Sequence, residues 1–145
     1  MRKVLVAAFS VLAVAACGGG ATNTASTPPP VNFTMAAQNG STAAGTGQIV
    51  KASDSFTLTI KLTGMVPMSS HVSHIHAGGC GVPGGIVYAL QQVIADASGA
   101  ATATTIVPAK YLVPSSGWYV NVHTGPDFTE PDYALSTSCG DVSAA

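Results

Sequence analysis

The chain has 145 residues, 8% of them charged, with five basic side chains against six acidic ones and a formal net charge of −1. So few cations exclude a nucleic-acid partner, whose phosphates ask for a basic surface to replace their counterions. Apolar residues make up 47% of a chain with 16 glycines and 9 prolines, which suits one small domain.

The N-terminus opens on Arg2 and Lys3, followed by an apolar stretch, Val4 to Ala16, too short to span a bilayer as a helix. Residues 1–16 are therefore read as a signal peptide. Val14-Ala15-Ala16-Cys17 looks like a bacterial lipobox, which implies cleavage before Cys17 and lipidation of its thiol. The Gly/Ser/Thr/Pro-rich run that follows cannot bury a core, so residues 17–30 read as a flexible tether. Cleavage would leave three basic and six acidic residues, a formal charge of −3, and no arginine. These features place the protein in a bacterial cell envelope, lipid-anchored to a membrane and facing the periplasm or exterior.

From Val31 onward, abundant Thr and Val with no long helical period predicts all-β structure. Val31 to Met35 starts the first strand, Asn39-Gly40 has hairpin-turn chemistry, and Gly47 to Lys51 is a second strand. Ser55 to Leu62 alternates polar and apolar residues, which predicts one buried and one wet face. Gly64 and Pro67 break the chain before the segment His71 to His76, and Gly78 to Gly85 reads as a loop. Further strands are expected at Ile86 to Leu90, Ala101 to Val107, Trp118 to His123 and Tyr133 to Cys139, with an acidic loop at Gly125 to Pro131. Seven to eight short strands predict a Greek-key sandwich or barrel.

All four histidines fall in two short segments, His71-Val72-Ser73-His74-Ile75-His76 and Trp118-Tyr119-Val120-Asn121-Val122-His123. Side chains alternate along a strand, so His74 and His76 share a face; if the two segments lie side by side, His123 joins them. Imidazole is a common ligand for copper and zinc, and a nitrogen-rich set suits copper. His71 is a candidate fourth ligand, but it lies an odd number of residues from His74 and needs a bulge or loop to reach the same face. Asn121 shares the parity of His123 and is placed to orient a ligand by a hydrogen bond. Besides Cys17 there are two cysteines, Cys80 and Cys139. In an exported protein the pair predicts one disulfide, although Cys80, four residues after His76, is also placed to serve as a thiolate ligand.

The segments Ser73-His74-Ile75-His76-Ala77-Gly78, Gly85-Ile86-Val87 and Trp118-Tyr119-Val120-Asn121-Val122-His123-Thr124 resemble the chordin-type (CHRD) domain. That family shows, in this order, a His-Ile-His-x-Gly element, a Gly-x-Val strand and a Tyr-x-Asn-x-His-Thr element. The resemblance implies a CHRD-like β-sandwich over residues 31–145, with Tyr133 to Cys139 standing where the family closes on a Gly-x-Ile-Arg-Gly strand. The order His74, His76, Cys80, His123, Cys139 is also similar to Cu/Zn superoxide dismutase, an eight-stranded Greek-key barrel. That likeness implies copper ligands at His74, His76 and His123 and a bridge between Cys80 and Cys139. No histidine lies between Ala77 and Asn121, which argues against a second, zinc site.

Three functions are consistent with these residues: an anchored module that binds a transition metal, most simply copper; a copper-only dismutase; and an adhesion module with architectural histidines. The lack of arginine after the expected cleavage and of zinc ligands favours binding over catalysis. Protein partners are not indicated. No nucleophile-elbow motif accompanies the serines beside the histidines, which rules against a serine hydrolase.

Overall fold

The structure is a computed structural model, and it describes residues 28–143. The expected signal peptide, the lipidated Cys17 and all but the last three residues of the expected tether lie outside the described residues. Among the described residues ten strands form: β1 (Val31–Ala37), β2 (Ala44–Lys51), β3 (Phe56–Thr63), β4 (Ser70–His71), β5 (Ser73–Gly79), β6 (Val82–Ala89), β7 (Val93–Ile94), β8 (Ala101–Val107), β9 (Trp118–His123) and β10 (Ser136–Val142). A 3-10 turn, Pro131–Ala134, precedes the last strand. Among the described residues, no helix is long and apolar enough to cross a membrane.

Eight strands make one antiparallel sheet in the order β6-β5-β9-β10-β1-β2-β3-β8, and β4 and β7 form a separate two-stranded ribbon. The links β3 to β5, β6 to β8 and β8 to β9 pass between non-neighbouring strands, the connectivity expected of a Greek key. The sheet curls on itself around its apolar side chains. Met35, Ile49, Phe56, Leu58 and Ile60 come from one half and Ile75, Val120 and Val122 from the other, all at most 2% exposed. Phe56 closes one end of this core by packing on Tyr88, Tyr111 and Trp118 at centroid distances of 5.8, 5.6 and 6.0 Å.

Local chemistry explains the elements. β3 buries Phe56, Leu58, Ile60 and Leu62 while its threonines and lysine face outward, as the alternation predicts. Asn39 and Gly40 both have positive φ, 50° and 76°, and make a tight turn within the link between β1 and β2, where the Ser41 N–H donates to the Gln38 carbonyl at 2.9 Å.

The glycine-rich segment Gly78 to Gly85 is the main departure from expectation. Only Cys80 and Gly81 turn; β5 continues through Gly79 and β6 begins at Val82. Glycine serves strand pairing here because the backbones approach closely: a Cβ on Gly84 would stand 2.5 Å from the Ala77 carbonyl oxygen. Register shifts on either side of His76 accommodate the remaining irregularity. The last strand also starts three residues later than expected, because Pro131 to Ala134 adopts the 3-10 turn. Cys80 and Cys139 are disulfide-bonded, with Cα atoms 6.0 Å apart, so the β5–β6 turn is stapled to β10. Cys80 is thereby not available as a thiolate ligand.

Candidate metal centre

β5 is paired between β6 and β9, and its register with β9 sets His74 opposite Asn121, Ile75 opposite Val120, and His76 opposite Tyr119. Ile75, Val120 and Val122 enter the core, so alternation turns His74, His76, Tyr119, Asn121 and His123 to the other face. The three imidazoles converge there, with ring centroids 5.3 to 5.8 Å apart and one nitrogen of each within 4.8 Å of the others. All three are buried.

Hydrogen bonds decide which nitrogens face inward. A carbonyl only accepts, so His76 Nδ1–H donates to the Gly84 carbonyl at 3.0 Å and His123 Nδ1–H to the Ala134 carbonyl at 2.8 Å. That leaves Nε2 of each ring as the nitrogen with a lone pair in the neutral form. His76 Nε2 and His74 Nδ1 are buried with no hydrogen-bond partner. Buried polar atoms are rarely left this way, and an unmatched one costs about 1–3 kcal/mol. His123 Nε2 meets Asn121 Nδ2 at 3.3 Å, while Ser136 Oγ–H donates to Asn121 Oδ1 and fixes which way that amide points.

Burial lowers the proton affinity of His74 and His123. His74 is pushed down to about 4 from 6.5, first by desolvation and then by the charges His123 and His76 would carry. His123 is lowered mainly by desolvation, partly offset by its bond to the Ala134 carbonyl. Neutral imidazoles with inward lone pairs are the form a metal ion requires. The three histidines therefore form a group that could hold a metal ion, with His74 Nδ1 and His76 Nε2 unpartnered and His123 Nε2 shared with Asn121 Nδ2.

His71 stands apart from this group. It is buried, but its Nδ1–H donates to the His123 carbonyl at 2.8 Å and its Nε2 meets the Ser69 hydroxyl at 2.7 Å. With both nitrogens engaged, it braces the backbone of a histidine in the cluster and offers no lone pair to the cluster itself.

Two aromatic side chains complete the site. Tyr119 stacks on His76 at 5.0 Å, and burial pushes its hydroxyl pKa up. Phe128 stacks on His74 at 5.7 Å and meets His123 edge-on at 5.0 Å. Neither role was assigned from the sequence. Tyr119 carried a readable signal, since it has the parity of Asn121 and His123 on one strand. Phe128 stands as an apolar residue in an acidic loop, where only the folded chain reveals its target.

A family model for the CHRD domain matches residues 21–127, most of the chain. No curated protein matches the chain.

Proposed function

The chain belongs to the CHRD-domain family, and from that premise we propose that it is a metal-binding module whose His74, His76 and His123 hold one copper ion. The observation that carries this reading is the pair of buried, partnerless nitrogens, His74 Nδ1 and His76 Nε2, in a group where one nitrogen from each of His74, His76 and His123 lies within 4.8 Å of the others. Three neutral imidazoles suit copper in either common oxidation state. When bound, the ion would supply Lewis acidity or one-electron chemistry; the protein's part is to fix the imidazole tautomers through Gly84 and Ala134 and to exclude water. Phe128 over His74, and the lack of any arginine after Arg2, favour holding an ion over turning over a substrate.

The lipobox-like Val14-Ala15-Ala16-Cys17 supports a protein anchored by lipid to a cell-envelope membrane, displaying its domain on the tether that follows. A domain stapled by a disulfide suits that oxidising setting.

The decisive experiment is a Cu(II) titration of the purified protein followed by electron paramagnetic resonance. One equivalent with nitrogen hyperfine structure, lost in His76→Ala and His123→Ala, is the expected result. A folded protein that takes up no copper, zinc or nickel at micromolar concentration would overturn the reading.

A further inference from the structure

Phe128 belongs to neither histidine strand, yet its ring lies within 19° of parallel to His74 and at 85° to His123. It does so while 50% exposed, on the strap that leaves β9 after Thr124. The ends of that strap are pinned to the barrel. The Val72 N–H donates to the Gly125 carbonyl at 3.0 Å, Gln92 Nε2–H to the Pro126 carbonyl at 2.8 Å, and the Thr124 N–H to the Leu135 carbonyl at 2.8 Å. The tip is not pinned. Among the described residues, the hydrogen bonds of residues 127–130 stay within residues 127–133. Thr129 closes a turn on Asp127 Oδ1 through its N–H at 2.9 Å and its hydroxyl at 2.7 Å, and the Tyr133 N–H returns to the Glu130 carbonyl at 3.0 Å. Phe128 brings the tip against the sheet by packing its ring on two imidazoles.

We propose that Phe128 is the gate of the histidine site: the strap moves about its pinned ends, and the seating of this ring sets how fast an ion or a small reagent reaches the three imidazoles. The metal reading supplies only the identity of what passes; the gate itself stands on the ring contacts and the unpinned tip. Exposed Asp127 and Glu130 flank Phe128, so the opened strap presents negative charge to an approaching cation. Aromatic contacts of this kind are weak enough to break often and strong enough to shift an open population about ten-fold.

Two readouts on the full chain separate the gate from the metal. The first treats the metal-free protein with diethyl pyrocarbonate, which acylates accessible neutral imidazole, and maps the modified residues by mass spectrometry. In Phe128→Ala, His74, His76 and His123 should react about ten-fold faster than in the parent, while His71, which lies outside the Phe128 ring contacts, stays slow. Thr129→Val, which removes one bond of the strap turn, should accelerate the same three residues to a smaller degree. Unchanged reactivity in Phe128→Ala overturns the gate, and so does His71 rising in step, which would mean general loosening. Should Phe128→Ala not fold, Phe128→Leu keeps apolar bulk without the ring, and its acceleration or lack of it decides in the same way. The second readout follows chelator extraction of Cu(II) from the loaded protein; a faster off-rate in the variant supports the gate and an unchanged one overturns it. Protection that depends on Phe128 in a protein that takes up no copper would leave the gate standing and remove the metal reading.

Discussion

His74 and His71 show how residues of one type take opposite roles from their surroundings. His74 is buried with Nδ1 unmatched, and burial holds its pKa near 4; His71 is equally buried but has both nitrogens engaged. In the unfolded chain His74 takes up a proton near pH 6.5, whereas in the folded protein it stays neutral until about 4. Between those values the unfolded state binds more protons, so lowering the pH favours unfolding. The metal-free protein should therefore lose stability as pH falls through this window, measurable as a declining urea midpoint, and a flat midpoint would show that His74 is not desolvated as described. His71→Ala should cost about 1–3 kcal/mol, the penalty for taking the side-chain donor from the buried His123 carbonyl, while copper binding stays at one equivalent. Loss of the copper instead would make His71 a ligand.

At the scale of the element, the site is a property of strand neighbours. β9 supplies His123, Asn121 and Tyr119 on one face because it pairs with β5 on one side and β10 on the other. β6 contributes the Gly84 carbonyl that sets the His76 tautomer, and the turn into β6 is held by the Cys80–Cys139 bridge and by Asp141 Oδ1, which accepts the Cys80 N–H at 2.7 Å. Cys80→Ser/Cys139→Ser removes a cross-link between residues 59 apart in sequence, and the chain-entropy relation gives a stability loss of about 4 kcal/mol. Denaturant unfolding of the variant checks that figure. Copper affinity should fall with it, because β6 then loses the staple that fixes the Gly84 carbonyl against His76; unaltered affinity would mean that strand pairing alone holds this geometry.

For the whole molecule, the three histidines come from β5 and β9, which are distant in sequence, so they meet only once those strands have paired. An ion that binds the folded state but not the unfolded chain stabilises the fold, by about 2.7 kcal/mol at a free concentration one hundred times Kd. Addition of Cu(II) should raise the melting temperature in a concentration-dependent way, and a chelator should return it to the metal-free value. No shift at saturating copper would place binding outside the folded core of the site.

Sequence alone determined whatever depends on local periodicity and residue chemistry. The two-residue alternation put His74 and His76 on one face and gave His123 and Asn121 a shared parity, and the alternation in β3, the Asn39-Gly40 turn and the cysteine pair were likewise readable. The glycine-rich stretch misled because glycine marks close backbone approach as well as turns, and only the pairing of β5 with β6 tells the two apart. Tertiary structure alone decided that His71 braces a carbonyl, that Gly84 and Ala134 choose the tautomers of His76 and His123, and that Phe128 packs on His74 and His123. Those facts depend on which distant backbone groups come within hydrogen-bond reach, and a linear sequence carries no distances until the sheet has curled and set its register.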